Sequence, residues 1–125
     1  MSLVIDTSIL IDLEKGKEEI IKIFMELKNQ YPSKPKISFV AKFEFLFVLK
    51  NKSPKNKEEA QKFMNEFETM HTTELTIKNL VLLREKYELP ISDLIIATQT
   101  MEHGDTLVTK DKDFEQITEI DKIIL

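Results

Sequence analysis

Four carboxylates interrupt apolar sequence where an ionised group is costly: Asp6 closes SLVID, Glu44 lies inside VAKFEFLFVL, Asp93 opens SDLIIAT, and Asp111 follows TLVT. Each stands at the edge of a segment that must be buried. A buried carboxylate without a partner either takes up a proton or finds a counter-charge. Four of them, spread between positions 6 and 111, point to convergence around a cation. Oxygen donors suit a hard divalent ion, Mg²⁺ or Mn²⁺, which keeps several of its waters. Two carboxylates about 4 Å apart repel by roughly 4 kcal/mol at an effective dielectric of about 20, so four or five need protons or metal to coexist. One ion, or a pair, could activate a water, orient a phosphodiester and offset charge on the leaving oxygen. The expected chemistry is metal-assisted hydrolysis.

Taken singly, most of these acids also have ordinary readings. Asp93 is placed to favour a helix dipole, and Asp111 and Asp113 suit a turn after a strand. Glu44 could pair with a lysine. Asp6, at the end of a buried strand, is the hardest to explain that way.

The elements that must position these residues alternate along the chain. Leu3 to Ile5 reads as a buried strand, and Ile20, Ile23, Phe24, Leu27 and Tyr31 recur at helical spacing. PSKPK then breaks the chain before a short strand over Ile37 to Phe39 and an apolar helix from Val40 to about Lys50. A linker-like stretch, Asn51 to Lys57, leads to a stripe of Ala60, Phe63, Met64, Phe67 and Met70. The two segments are expected to form a helical hairpin at about 40–70. Thr72 to Leu75 is a candidate strand, with Thr76 and Ser92 as helix caps and Pro90 and Gly104 as stops. Strand Thr106 to Thr109, a turn of helix near Asp113 and a strand around Ile120 to Leu125 complete the chain. Short strands alternating with helices predict a three-layer α/β/α sandwich with a short, mainly parallel sheet. Ligands bind such sheets beyond the carboxyl ends of the strands, where Asp6 and Asp111 fall.

With 125 residues, 42% apolar and 32% charged, the chain is expected to be a single globular domain over 1–125. No apolar run reaches the roughly 18 residues that cross a bilayer, no secretory leader is visible, and there is no cysteine. A cytoplasmic location without membrane attachment is the expectation. The net charge of −4 argues against a general nucleic-acid binder only superficially. Without Asp6, Glu44, Asp93, Asp111 and Asp113, 17 acids face 18 bases. His71 and His103 lack metal-ligand spacing and read as surface or cap residues, and Asp12, Asp105 and Asp121 as solvated or turn residues. Phe43, Phe47, Phe63 and Phe67 read as core, with a partner surface as the alternative.

The order VIDTSILIDL, ISFVAKFEFL, LPISDLIIATQTMEHGDTLVTKDKDFEQI resembles the PIN-domain ribonucleases, especially the VapC-type toxins of toxin-antitoxin pairs. The resemblance spans nearly the whole chain. It implies that Asp6, Glu44, Asp93 and Asp111 are an acidic quartet holding Mg²⁺ or Mn²⁺, with Asp113 accessory. Thr7, Ser8 and Thr109 match hydroxyl positions that support such a site. It also implies an RNA substrate, a homodimer, and a small antitoxin covering the acidic cleft. Arg84 is the one arginine, so phosphate contacts fall to Lys42, Lys50, Lys52, Lys110 and Lys112. A housekeeping RNA-processing nuclease and a non-catalytic RNA- or protein-binding module remain alternatives. An aspartyl-nucleophile phosphatase is disfavoured, because Ser8 stands where that chemistry needs a second acid.

Overall fold

The computed structural model describes residues 1–48 and 53–125. Lys50 and Lys52, expected among the phosphate contacts, lie outside the described residues, as do the end of the expected Val40–Lys50 helix and the start of the expected Asn51–Lys57 linker. Among the described residues, five short strands form one sheet: β1 (Leu3–Ile5), β2 (Lys36–Ser38), β3 (Glu68–Met70), β4 (Thr106–Thr109) and β5 (Asp121–Ile124). Their order is β3-β2-β1-β4-β5, and every pairing is parallel. Six α-helices among the described residues fill the connections: α1 (Thr7–Glu14), α2 (Glu18–Gln30), α3 (Phe39–Phe47), α4 (Pro54–Met64), α5 (Glu74–Lys86) and α6 (Ile91–His103). A 3-10 turn, Lys112–Gln116, precedes β5. None of the described helices is long and apolar enough to cross a membrane.

Parallel pairing requires crossovers, and right-handed crossovers put helices on both faces of the sheet. This gives the three-layer α/β/α arrangement. The central strands are therefore apolar on both sides: Leu3, Val4 and Ile5 of β1 and Leu107 and Val108 of β4 are all buried. Ile9, Leu10, Phe45, Leu94, Ile96 and Ala97 pack on them from the helices. From β1 the chain steps through β2 to β3, then returns past β1 to add β4 and β5. The direction reverses between β1 and β4, and a crevice opens at the carboxyl end of such a switch point.

Local chemistry moves several expected boundaries. The eight-residue α1 has no counterpart in the sequence reading; Asp6 caps it, and Gly16, at φ +74°, turns the chain out of it. Ser53 caps α4 with Pro54 at its first position, so Pro54 to Lys57 begins a helix rather than a linker. The stripe ends at Met64: Phe67 lies in the turn and Met70 in β3, both buried. The strand expected at Thr72 to Leu75 falls earlier, because Thr73 and Thr76 form a reciprocal capping box that starts α5. Thr73, not Thr76, is the cap. Likewise Pro90, not Ser92, precedes α6, with no side-chain cap bond. Gly104 ends α6 at φ +63°, as its position suggested.

Two acids read as solvated are instead buried and ion-paired. Asp105 accepts the Ser2 N–H at 2.8 Å and the Lys36 ammonium at 2.8 Å, tying the chain start and β2 to the amino end of β4. Asp12 pairs with both Lys17 and Lys110. Asp121 is exposed, as expected. A buried carboxylate with two such donors leaves both without partners when removed. Asp105→Ala is expected to cost about 2–3 kcal/mol in urea denaturation, against well under 1 kcal/mol for Asp121→Ala.

Candidate metal centre at the carboxyl end of the sheet

Asp6 follows β1 at the switch point, and every polar atom it carries is used. Its N–H continues the ladder to the Val108 carbonyl at 3.0 Å, and its carbonyl accepts from the Ile9 and Leu10 amides. Oδ1 takes the Thr7 N–H at 2.8 Å, which caps α1. Oδ2 takes the Thr109 hydroxyl at 2.6 Å, with the Ser8 hydroxyl farther off at 3.5 Å. Burial pushes the Asp6 carboxyl up, the bonds from Thr109 and Thr7 work against this, and the Asp111 charge adds to it.

The other acids arrive from separate elements. Asp111 follows β4; its N–H donates to the Thr109 hydroxyl at 3.0 Å, and its Oδ1 accepts the Asp113 N–H at 2.9 Å to cap the 3-10 turn. Glu44, on α3, accepts the Thr7 hydroxyl at 2.9 Å and makes no ion pair with a described lysine. A continuous chain of hydrogen bonds therefore runs from Asp111 through Thr109, Asp6 and Thr7 to Glu44. Asp93, in the first turn of α6, stands outside it and receives no side-chain bond among the described residues. Its carboxyl is pushed up to about 6, first by burial and then by the charges of Asp6, Asp111, Glu44 and Asp113.

Asp6, Glu44, Asp93 and Asp111 line one open cavity of about 360 Å³ with Thr7, Ser8 and Lys110. Thr109 is buried beneath Asp6. Asp113 is exposed and outside the lining, though its charge is felt at Asp93. Neither Lys42 nor Lys112 lines the cavity; Lys110 is the one cation among its described residues. Phe43 and Phe47, read as core, are 63% and 57% exposed on α3, their rings 5.7 Å apart. They flank Glu44 by one and three positions. Phe67 is buried and packs edge-on against Phe63.

No three acidic or histidine side chains among the described residues are gathered closely enough to hold an ion as they stand. The donor set nonetheless fits a hard divalent ion: the lining offers carboxylate and hydroxyl oxygens, with no imidazole or sulfur. The sequence reading missed Asp12, whose bond to Lys110 adjoins the cavity. No local signal marks that pair, because its members are 98 positions apart.

No sequence among the curated proteins matches this chain significantly. Solved structures do. A toxin-antitoxin complex from Klebsiella pneumoniae contains a chain 26% identical, with a TM-score of 0.80 over 95% of each chain. VapBC2 from Rickettsia felis, bound to a promoter DNA fragment, matches at 19% identity and a TM-score of 0.86, covering 100% of this chain and 99% of that one. DNA-bound VapBC from Salmonella typhimurium matches at 21% identity and a TM-score of 0.80, covering 99% and 98%. The PIN domain family profile matches residues 3–120, which include strands β1 to β4 and all four cavity acids, and the chain belongs to that family.

Proposed function

We propose that this chain is a divalent-cation-dependent endoribonuclease of the VapC kind, the toxin of a toxin-antitoxin pair. The observation that carries the reading is the cavity at the β1/β4 switch point, where four carboxylates from four elements face one space and none pairs with a described lysine. Membership of the PIN domain family and the likeness to toxin-antitoxin complexes support it. Asp6, Glu44, Asp93 and Asp111 would hold Mg²⁺ or Mn²⁺, with Asp113 at the margin. Bound there, such an ion supplies the positive charge that acidifies a water and neutralises a phosphodiester.

The chain's own groups do the rest. The hydroxyls of Thr109 and Thr7 donate to Asp6 and Glu44, fixing how those carboxylates face the cavity. Asp93 is the acid whose protonation follows pH near neutrality, so a proton and a cation compete at its position. Lys110, Lys42 and Lys112 supply charge for the RNA backbone. Phe43 and Phe47 beside Glu44 offer an apolar surface for an antitoxin segment, and the exposed Leu75, Val81 and Leu82 of α5 offer one for a homodimer.

Asp93→Asn is expected to lower Mn²⁺-dependent cleavage of single-stranded RNA by roughly 100-fold or more while leaving the circular dichroism spectrum unchanged. Equal rates for variant and wild type would defeat the reading.

A metal-free measurement tests the electrostatics separately. Because the folded Asp93 carboxyl titrates near 6 rather than at its unfolded value of 3.8, the folded protein holds the extra proton between these values. Stability therefore falls as pH rises through that window, and the loss is complete above about 6. In chelator at pH 8, Asp93→Asn is expected to be more stable by about 1 kcal/mol, after discounting for solvent screening of a half-exposed group, or roughly 3–5 °C in Tm. Below about pH 4 the difference vanishes. A variant less stable than wild type at pH 8 would show that the carboxylate is already compensated.

A further inference from the structure

Lys110 forms a wall shared by two hollows. On one side it lines the carboxylate cavity; on the other it lines a cavity of about 340 Å³ with Asp12, Lys17 and Glu19 over Ile20 and Ile23. A lysine beside four mutually repelling carboxylates is expected to fall among them, since each would gain a favourable ion pair. Lys110 instead donates its ammonium to Oδ2 of Asp12 at 2.5 Å, in the second hollow. Asp12 is only 4% exposed, and its Oδ1 is held by Lys17 at 3.0 Å. Both oxygens are thus engaged, each by a cation. Helix α1 begins at one cavity acid, Asp6, and carries Asp12 six positions on, on the order of 9 Å along its axis.

We propose that Asp12 is a positioning residue that holds the Lys110 ammonium off the carboxylate cavity, keeping the cavity open to a divalent cation and the ammonium at its rim. The inference rests on the metal-dependent reading above. An ammonium has three donors, so Lys110 can give one to Asp12 and still present others to an anionic phosphate. Without the Asp12 charge, the acids that share a cavity wall with Lys110 are Glu19 on one side and the four cavity carboxylates on the other, and the four are the denser negative charge. Lys110 then becomes an intramolecular counter-ion that competes with the metal. With Lys17 as a second cation, the cluster of one acid and two ammonium groups adds no net negative charge beside the site. Lys110 and Lys17, with side chains 38% and 52% exposed, can rehydrate when Asp12 is neutralised, so the fold is expected to survive that change.

The test is Mn²⁺ affinity by titration calorimetry in the absence of RNA, with thermal melts confirming that each variant is folded. Asp12→Asn is expected to weaken Mn²⁺ binding by roughly threefold to tenfold. Adding Lys110→Met to that variant is expected to restore the affinity, because no ammonium remains to intrude; a merely structural role for Asp12 would not be rescued in this way. Asp12→Ser replaces the asparagine variant if that one does not fold. Equal affinity in wild type and the Asp12 variant, or a loss that Lys110→Met fails to restore, overturns the inference alone. A wild type that binds no Mn²⁺ removes the metal-dependent reading and this inference with it.

Discussion

The carboxylate at the end of β1 sets the terms for the structure around it. Asp6 is the last residue to join the ladder with β4 and the first to cap α1, so strand and helix meet at one acid. Its burial raises the free energy of the charged form, and the chain answers with two good hydrogen bonds, one from its own next amide and one from Thr109 on the neighbouring strand. The second bond exists only because β1 and β4 lie side by side in the register Ile5 to Val108. Strand order, register and side-chain chemistry are thus tied together at the switch point.

Once Asp6 is fixed, the remaining acids differ in how firmly they are held. Asp111 leaves the same strand as Thr109 and shares its hydroxyl, so it moves with the sheet. Glu44 is reached through Thr7, and α3 packs against α6, which brings Asp93 to the same space. Asp93 has burial and like charge against it and no side-chain donor among the described residues to offset them, and its carboxyl is pushed up to about 6. Hydrogen-bond donors reach the carboxylates of Asp6, Glu44 and Asp111, whereas among the described residues none reaches that of Asp93.

Much of this was legible in the sequence because strand ends and buried runs are local signals. SLVI and TLVT mark two adjacent central strands by their apolar runs, and an acid one or two residues after each run emerges at the carboxyl end. Glu44 and Asp93 stood out because apolar helix faces surround them. What was not legible depends on partners far away in sequence. Asp12 and Asp105 look like ordinary turn residues until the fold brings Lys110 and Lys36 to them across 98 and 69 positions. Helix α1 was hidden for a different reason: its cap is also the site acid, and one residue cannot announce both jobs. The apolar stripe through Phe67 and Met70 misled because a turn and a buried strand bury the same residue types as a helix.

The distribution of lysines closes the electrostatic account. A chain with so many ammonium groups could neutralise its acidic cavity, yet the buried and half-buried acids elsewhere take the nearby ones: Asp105 holds Lys36, Glu119 holds Lys86, and Asp12 holds Lys17 and Lys110. Glu119 is held so well, by the Tyr87 hydroxyl at 2.5 Å and by Lys86, that its carboxyl is drawn down to about 2. Pairing therefore stabilises acids that fasten elements together, whereas Asp6, Glu44 and Asp111 in the cavity accept from hydroxyls and amides, which orient them without cancelling their charge. The one lysine among the described residues that line the cavity is bound to another acid, so none of the four carboxylates there has an ammonium partner among the described residues.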